Sequence, residues 1–452
     1  VAMLVIGGLW RRSLRLLYAW PAPYAAWLGG LLLAAAYAAF TGWGIPAQRT
    51  VLMLAIATLL RLSGRQWPWH FSLLCVAAVV LALDPWALLQ AGFWLSFVAV
   101  AVLLLQNPGA KPDAVGHQPQ PQPPASWVQR LGQAPRRLLR EQLSISLALA
   151  PLSLLLFGQF SLVGVLANLL AIPLVTFLIT PLTLLGLLLP PLWQLAAGLL
   201  QGLLLFLDWC AARPQAVLHS AALPWGLGAA AVAAVLAHLA LRQQQAAPLW
   251  RHGSLGVVLA LCAAALAYQP ARPAPGQFVA TFVDVGQGNA VLIQTARHSL
   301  LYDTGPRYGG GYGRGDRSAS NAGERVLLPL LRAYALRPDM LLISHADADH
   351  AGGAAPILQH LPPRQLLTSM AQQTDWPDQP KLQLCQAGQG WHWDGVDFAI
   401  LHPQAGDYQR GLPSNAMSCV LRVSTPTASV LLAGDIPENQ ERELWLSLGA
   451  KG

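Results

Sequence analysis

Charged side chains are scarce in this chain of 452 residues, because Asp, Glu, Lys and Arg make up only 11% of it while hydrophobic residues make up 54%. A soluble globular domain carries about 25% charged residues. The mean hydropathy of +0.44 is also high for a soluble protein. The composition therefore excludes an ordinary soluble enzyme and predicts that a large part of the chain lies in a membrane.

Cysteine is scarce as well, with five residues in the chain. Cys75, Cys210 and Cys262 lie in apolar runs, and only Cys385 and Cys419 lie in the more polar C-terminal part. No pair has the Cys-x-x-Cys spacing, so no thiolate metal site is indicated. If the C-terminal part lies outside the cytoplasm, Cys385 and Cys419 could form a disulfide, although two separate thiols fit the sequence equally well.

The composition divides the chain near residue 270, with a mostly apolar part at 1–269 and a part of soluble character at 270–452. A transmembrane helix needs about 20 apolar residues. The second, third, fifth and ninth predicted spans are short and could be re-entrant, and the sixth contains Pro173 and Pro181 and could be kinked or split. The nine predicted spans are residues 21–40, 50–62, 71–83, 87–105, 143–157, 162–189, 193–209, 221–241 and 254–268.

The arginines between these spans predict an orientation. With nine crossings, one side of the membrane receives Arg11, Arg12, Arg15, Arg61, Arg65, the segment 130–140, Arg242 and Arg251. The short loops of the other side carry only Arg49 and Arg213. Because positive residues concentrate on the cytoplasmic side, the C-terminal domain is predicted to lie outside the cytoplasm, in the periplasm or its equivalent. Splitting the sixth span would reverse this orientation.

A polar interruption lies within the membrane part. Residues 107–126 are rich in proline and glutamine and are predicted to form a flexible linker. Residues 127–142 place Arg130, Arg136, Arg137 and Arg140 among leucines, which predicts a basic interfacial helix bound to anionic lipid. Contact with a nucleic acid backbone is the alternative. The net charge of +8 suits both partners.

The densest group of reactive side chains is His345-Ala346-Asp347-Ala348-Asp349-His350, directly after the apolar run 340–344. A strand followed by a loop and a helix is expected here. Histidine and aspartate at this density indicate a divalent metal site. A plain helix cap would explain Asp349 but not the other three residues.

Three further turns follow predicted strands. The first is Gly286-Gln287-Gly288-Asn289, the second is Asp303-Thr304-Gly305, and the third is Gly434-Asp435. A glycine-rich segment at 308–321, flanked by Arg307 and containing Arg314 and Arg317, predicts a mobile basic loop beside the site. Asp435 repeats the strand-end position of the histidine segment, which makes it a further candidate ligand.

Several motifs now carry a resemblance. The C-terminal part resembles a metallo-β-lactamase domain in four motifs, namely HADADHAGG at 345–353, DVGQG at 284–288, YDTG at 302–305 and LLAGD at 431–435. The apolar part resembles the competence domain of ComEC-type DNA-uptake proteins in three motifs, namely GIPAQRT at 44–50, DPW at 84–86 and GFWLSF at 92–97. The resemblance implies a polytopic α-helical membrane domain followed by an α/β metallo-β-lactamase-like αββα sandwich. Since the chain begins at Val1 in apolar sequence and stops at Gly452 before the last expected histidine, we expect a fragment truncated at both ends.

The family resemblance also implies a function. It predicts an inner-membrane channel for single-stranded DNA in natural transformation, with a metal-dependent nuclease acting on the strand that is not transported. Two alternatives remain, namely a channel whose second domain is a catalytically silent module, and a membrane-tethered hydrolase of a small ester or lactam. The implied partners are DNA, membrane lipid and other uptake proteins, and a homo-oligomer is compatible with the family.

The resemblance assigns the site residues by motif. Asp349 is the expected catalytic residue, and one or two Mn²⁺ or Zn²⁺ ions are the expected cofactors. The candidate substrate-binding residues are Asp303, Arg307 and Gln287. The candidate metal ligands are His345, Asp347, Asp349, His350, Asp435 and, as an additional candidate, Asn415.

The chain departs from the usual metallo-β-lactamase pattern at three positions. Asp347 and Asn415 stand where histidines are usual, and Asn289 stands where DVGQGD would have an aspartate. His402 is an alternative to Asn415 as the third histidine. A site richer in oxygen ligands favours manganese over zinc.

Overall fold

The computed structural model describes residues 22–63, 68–106, 127–213, 216–244, 246–308, 320–370 and 382–449. The chain forms two compact units. The helical unit contains Val1–Leu218 and Leu223–Ala265, and the sheet unit contains His219–Ala222 and Leu266–Gly452. The predicted linker at 107–126 and most of the glycine-rich loop, including Arg314 and Arg317, lie outside the described residues.

Each predicted span of the helical unit contains a helix within the described part of the chain. Five helices, α5 to α9, are long and apolar enough to cross a membrane, judged by length and composition, and α1 to α4 are shorter apolar helices. The helices are α1 Ala22–Phe40, α2 Ile45–Leu62, α3 Trp69–Leu83, α4 Ala91–Gln106, α5 Trp127–Phe157, α6 Gly164–Leu185, α7 Pro191–Ala211, α8 Trp225–Gln243 and α9 Pro248–Ala267. Two short strands, β1 Gln159–Ser161 and β2 Val217–His219, lie between helices of this region.

The sixth predicted span is a single helix in the structure. Helix α6 runs through Pro173 and Pro181 without breaking, and a π-helical turn at Val175–Ile179 lies between them. A proline cannot donate the backbone hydrogen bond that an α-helix needs at its position, and a π-turn is one way in which the chain accommodates this loss. The split into two crossings that the sequence left open is therefore not observed.

The fifth predicted span differs from its expected bounds. The basic segment 127–142 and the span 143–157 were predicted as separate elements, but they form one helix of 31 residues, α5. No glycine or proline lies at the junction of Gln142 and Leu143, so nothing interrupts the helical hydrogen bonds there. The part of α5 that is long and apolar enough to cross a membrane begins at Leu139.

The helices of this unit pack against one another through small apolar clusters, and many of their large apolar side chains remain exposed. Val76 and Val80 of α3 pack against Phe93 and Phe97 of α4. In contrast, Leu205 of α7 is 71% exposed. A helix that exposes large apolar side chains in this way is suited to a lipid surface.

The described residues of the sheet unit form two large sheets and a two-stranded sheet, β6-β7. A six-stranded sheet has the order β10-β9-β8-β5-β4-β3, and a four-stranded antiparallel sheet has the order β11-β12-β13-β14. In the first sheet, β5, β8, β9 and β10 are parallel, and β3 and β4 pair antiparallel beside them. The strands are β3 Val279–Phe282, β4 Val291–Gln294, β5 Ser299–Tyr302, β6 Arg307–Tyr308, β7 Ser320–Asn321, β8 Met340–Ile343, β9 Gln365–Thr368, β10 Leu382–Leu384, β11 Gly390–Trp393, β12 Val396–His402, β13 Val420–Ser424 and β14 Ser429–Leu432.

Strands β4, β5 and β8, in the middle of the six-stranded sheet, are buried at every position because both of their faces are covered. One face packs against the second sheet, where Ile293 and Leu342 meet Phe398 and Leu421. The other face packs against helices through residues such as Leu341. The helices of this unit are α10 Leu328–Ala333, preceded by a π-turn at Gly323–Leu327, α11 Ala348–Ala351, α12 Ala354–His360 and α13 Glu438–Gly449.

These layers confirm the predicted sandwich class. Tyr302 links the two sheets, because its buried hydroxyl lies 2.7 Å from the Cys419 carbonyl oxygen and 3.2 Å from that of Leu432. Cys385 and Cys419 form a disulfide with a Cα–Cα distance of 5.9 Å, in the core between the sheets. The sequence allowed either a disulfide or two separate thiols at these positions, and the structure has the disulfide.

Candidate metal centre

The candidate site lies where strands of both sheets end. Asp303 follows β5, Ser344 to His350 follow β8, and Asp435 follows β14 after Gly434. Strands β5 and β8 are parallel neighbours, so their carboxyl ends meet at one edge of the sheet. The link from Tyr302 to the backbone of Leu432 holds the end of β14 close to the end of β5.

Three potential ligands converge at this edge. One ligand atom each from His345, His350 and Asp435 lies within 4.8 Å of the other two. Both histidines are buried, and their ring centroids are 4.2 Å apart. The Asp435 side chain is 47% exposed, and its Oδ1 lies 3.3 Å from Nε2 of His350. The cluster is therefore open to solvent on its carboxylate side.

The two histidines are oriented by hydrogen bonds at their Nδ1 atoms. His350 Nδ1 lies 2.8 Å from Asp303 Oδ2, and His345 Nδ1 lies 2.9 Å from Ser344 Oγ. Nε2 of His345 is buried and has no hydrogen-bond partner. Buried polar atoms are rarely left unsatisfied. A histidine held at one nitrogen and free at the other has the arrangement of a metal ligand, so these residues fit a divalent ion.

The two rings differ electrostatically. Burial lowers the pKa of His345, the neighbouring His350 lowers it further, and the charges of Asp303, Asp347 and Asp435 do not offset these effects. Burial also lowers the pKa of His350, but the hydrogen bond and charge of Asp303, together with Asp435 and Asp349, outweigh it and raise the pKa overall. A metal ligand must be neutral, and the pKa of His345 favours that form.

Asp347 and Asp349 each approach one histidine. Asp347 Oδ2 lies 3.6 Å from Nε2 of His345, and Asp349 Oδ2 lies 3.9 Å from Nε2 of His350. Their side chains are 43% and 42% exposed. These carboxylates therefore lie at the rim of the site, outside the group of three ligands.

Glycines bring the surrounding turns close to the histidine segment. Asn289 donates its backbone N–H to the Asp349 carbonyl oxygen at 3.2 Å. Gly288 has a φ of +120°, and a Cβ at this position would collide with the same carbonyl oxygen. The DVGQG turn thus supports the backbone of Asp349. Gly288 is needed there for two reasons, since its φ is positive and no space remains for a Cβ.

The three residues predicted to bind substrate lie in different environments. Asp303 is fully buried and accepts hydrogen bonds from the Ser344 N–H and hydroxyl, at 2.6 and 2.8 Å. These contacts are those of a residue that orients His350, and the substrate-binding role of Asp303 stays a prediction. Gln287 is exposed in the DVGQG turn, and Arg307 is exposed at the start of β6.

His402 is not one of the three converging residues, and the ligand role of Asn415 stays a prediction. Asn415 begins a short 3-10 turn and is half-buried, and the preceding Ser414 accepts a hydrogen bond from the Ala346 N–H at 3.1 Å. His402 is buried, with Nδ1 2.9 Å from the Ser418 carbonyl oxygen and Nε2 3.7 Å from Asp407. His402 is thus linked to the cluster through Ser418, whose hydroxyl contacts His345 and the Asp435 N–H, and it is not itself one of the three converging residues.

Two serines support the cluster and were not predicted. Ser344 Oγ contacts Asp303 and His345, and Ser418 Oγ accepts a hydrogen bond from the Asp435 N–H at 3.2 Å. Ser344 directly precedes the histidine motif, which was a usable signal. Ser418 lies far from that motif in sequence, and its only neighbouring signal was Cys419.

Each of the two units contains a region that matches a known protein family. The profile of the Competence protein family matches residues 1–245, and that of the metallo-beta-lactamase superfamily matches residues 283–447. The second match implies a divalent metal in the sheet unit.

Three curated proteins match most of this chain. "Uncharacterized protein YcaI" of Escherichia coli is 33% identical over 92% of this chain and 51% of its own length. "Competence protein ComA" of Neisseria gonorrhoeae is 32% identical over 97% and 58%, and "Recombination protein 2" of Haemophilus influenzae is 28% identical over 94% and 55%. The chain thus spans a little over half the length of these relatives.

Proposed function

The chain belongs to the competence protein family, and from this membership we propose that it takes part in DNA uptake. The membrane domain, which we assign to residues 1–269 and which contains the helical unit, carries one DNA strand across the bacterial inner membrane. The second domain, which we assign to residues 270–452 and which forms most of the sheet unit, hydrolyses phosphodiester bonds of the other strand. The relatives named "Competence protein ComA" and "Recombination protein 2" support this assignment.

The observation that carries the nuclease proposal is the convergence of His345, His350 and Asp435. Their open side carries the exposed carboxylates of Asp347 and Asp349. A polymeric phosphodiester needs a site that is accessible from solvent, and a buried ligand set with an open rim meets that need. The exposed Arg307 and Gln287 are suited to contacts with the phosphate backbone.

Divalent metal would be held by His345, His350 and Asp435, with Asp347 as an additional ligand. When bound, it would polarise a phosphoryl oxygen and make water more acidic. Manganese is our expected metal, because carboxylate oxygens make up much of the donor set. Asp349 at the rim would accept a proton from the attacking water. Asp303 would keep His350 in the orientation that its ligand role requires.

We propose that the sheet unit lies on the extracytoplasmic side. Helix α6 is unbroken, so the predicted number of membrane crossings stays odd. With an odd number of crossings, the arginine distribution predicts that the C-terminal domain lies on the extracytoplasmic side. The Cys385–Cys419 disulfide supports it, because disulfides persist in oxidising compartments and are rare in the cytoplasm. Labelling a cysteine introduced at exposed Ser429 with an impermeant thiol reagent in intact spheroplasts tests this. Absence of labelling until the membrane is permeabilised would contradict it.

The nuclease proposal is tested on the full-length protein in detergent, with labelled single- and double-stranded DNA and added Mn²⁺ or Zn²⁺. Wild-type protein should cleave DNA, and Asp349→Asn should lower the rate by about 10²-fold or more. Asp397→Asn is the matched control, because Asp397 is an exposed carboxylate on β12 whose partner is the exposed His392. Equal cleavage by Asp349→Asn and wild type would overturn the role of Asp349.

A catalytically silent DNA-binding module is the second candidate function. The observation that favours it is that the converging His, Cys, Asp and Glu side chains among the described residues number three, whereas a two-ion site needs more ligands. DNA binding and metal binding without any cleavage, with either ion, would favour this candidate over the nuclease.

A further inference from the structure

Three motifs of the helical unit meet around one arginine. Arg49 of GIPAQRT lies in the second turn of α2, and Gly92 of GFWLSF lies in the first turn of α4. Asp84 of DPW and Gln90 flank a short 3-10 helix, Pro85–Leu89, between α3 and α4. The ends of these helices therefore bring one cation, one anion and one amide together, and all three residues are half-buried.

The side chains form a chain of contacts in which Gln90 is the middle member. Arg49 Nη1 donates to Gln90 Oε1 at 3.5 Å, and Gln90 Nε2 donates to Asp84 Oδ2 at 3.4 Å. The other oxygen of Asp84 accepts the Trp86 N–H at 3.1 Å and so caps the 3-10 helix. Asp84 is therefore engaged elsewhere and does not pair directly with the guanidinium.

The Arg49 guanidinium has unused hydrogen-bonding capacity. Its Nε is buried without a hydrogen-bond partner, and no ion pair among the described residues includes Arg49. A guanidinium has five N–H donors and stays charged in proteins. A buried polar atom without a partner is costly, and an unpaired charge among membrane helices often marks a binding site or an ion pathway. The single long contact to Gln90 does not meet that need.

Gly92 fixes the position of this guanidinium. A Cβ on Gly92 would lie 2.9 Å from Arg49 Nη2, so the side chain lies directly against the backbone of α4. Gly92 is not among the glycines with positive φ. The glycine therefore leaves room for the guanidinium, and a Cβ at this position would displace it.

We propose that Arg49 binds a phosphate of the DNA strand that the helical unit carries. This inference rests on the proposed function and names a contact for it. The planar fork of arginine matches two phosphate oxygens, which favours a phosphodiester over other anions. On the proposed orientation, the start of α2 faces the side from which DNA arrives. The nearby Asp84 opposes the bound phosphate and so limits its affinity, as a pathway requires because the strand must also leave.

Oligonucleotide binding to the full chain in nanodiscs tests the proposal. The probe is a short single-stranded oligothymidylate, and its affinity is measured as a function of salt in zwitterionic lipid. Arg49→Gln should lower the affinity about tenfold and reduce the slope of log K against log salt by about 0.7, the value for one phosphate contact on a single strand. Gly92→Ala keeps the charge but displaces it, and should also weaken binding.

Two further variants separate a phosphate contact from loss of structure. Asp84→Asn retains the capping oxygen and removes the opposing charge, so it should raise the affinity. Arg213→Gln is the matched control for charge, because the Arg213 guanidinium lies 4.3 Å over the ring of Trp209 and has a partner. This control should leave the affinity and the salt slope as in wild type.

The outcomes distinguish this inference from the proposed function. Wild-type binding with an unchanged slope in Arg49→Gln would overturn the Arg49 contact alone. No binding by wild-type protein would overturn both. Native mass spectrometry in nanodiscs that contain anionic lipid identifies the other phosphodiester source. Loss of one bound lipid in Arg49→Gln, with the DNA slope unchanged, would make the ligand a headgroup and overturn the DNA contact.

Discussion

The two units of this chain exclude water in different ways. In the sheet unit, Leu301 and Leu341 are fully buried by helices and a second sheet. In the helical unit, Leu200 and Leu205 of α7 are 43% and 71% exposed. An apolar surface of this kind is stable only if lipid covers it. Leucine therefore packs against other protein layers in the sheet unit, whereas in the helical unit it forms a surface suited to lipid.

The units also treat charge differently. The buried carboxylates Asp303 and Asp394 of the sheet unit accept several hydrogen bonds each. In the helical unit, the guanidinium of Arg49 has one long contact and a buried Nε without a partner. The carboxylates of Asp303 and Asp394 are thus satisfied by groups of their own unit, whereas the Arg49 guanidinium keeps hydrogen-bonding capacity for the phosphate that we propose as its ligand.

The largest expected effect concerns the ligand set of the sheet unit. His345→Ala should lower the affinity for Mn²⁺ by more than about 100-fold, because it removes a buried ligand from a group of three. Isothermal titration of the full-length protein with Mn²⁺ measures this change. His392→Ala is the matched control, since His392 is exposed and pairs only with Asp397. Unchanged affinity in His345→Ala would remove His345 from the site.

The helical unit has its largest expected effect at a leucine that lipid should cover. Leu200→Arg should reduce membrane integration, because an arginine near the centre of a membrane helix costs about 2.5–3.5 kcal/mol. Alkaline extraction of membranes measures the integrated fraction. Leu431→Arg is the matched control in the sheet unit, where Leu431 of β14 is 49% exposed and should be tolerated within about 0.5 kcal/mol. An equal integrated fraction for the two variants would show that lipid does not cover Leu200.

The sequence predicted the parts of the site that depend on strand ends. His345 and His350 follow β8, and Asp303 follows its parallel neighbour β5, so their strand ends meet at one edge. Asp435 follows β14 of the antiparallel sheet, and its approach to the histidines depends on how the two sheets pack. The sequence did not predict the network of His402, because the partners Asp407 and Ser418 depend on how β12 and β13 pair. The disulfide was left open for the same reason, since sequence spacing does not give the distance between Cys385 and Cys419.

In the helical unit, the sequence predicted where helices form but not all of their limits. Long apolar runs identify helices by composition alone, and each predicted span contains one. The polar segment before the fifth span was predicted as a separate element because its composition changes at Gln142. Helical hydrogen bonding continues through a change of polarity, so α5 begins at Trp127.

A smaller effect is expected at the turn that supports Asp349. Gly288→Ala should destabilise the sheet unit by about 2 kcal/mol, because the new Cβ must displace the Asp349 carbonyl oxygen and φ is positive. Hydrogen exchange of the amides at 349–351 measures the change. Gly286→Ala separates the two causes, since Gly286 also has positive φ but has open space around it. Equal effects in the two variants would show that conformation alone matters.

The smallest predicted effect is at Asp394, a buried carboxylate remote from the metal ligands. Burial opposes its ionisation, but hydrogen bonds from Thr295, His298 and Arg297 outweigh burial and hold the pKa of Asp394 well below its usual range. Asp394→Asn keeps the shape and should cost about 1–2 kcal/mol at neutral pH. Because the folded pKa is depressed, this stabilisation is present above about pH 4 and is lost as the pH falls toward the folded value.

The difference in free energy of unfolding between wild type and Asp394→Asn should therefore shrink below about pH 4. Hydrogen exchange of β4, β5 and β11 in the full chain, measured across this range, tests the pH dependence. Asp397→Asn provides the control, because its carboxylate is 70% exposed and its pair with His392 should contribute less than about 0.5 kcal/mol at any pH. A difference for Asp394→Asn that stays constant with pH would mean that packing, and not the ionised carboxylate, holds these hairpins together.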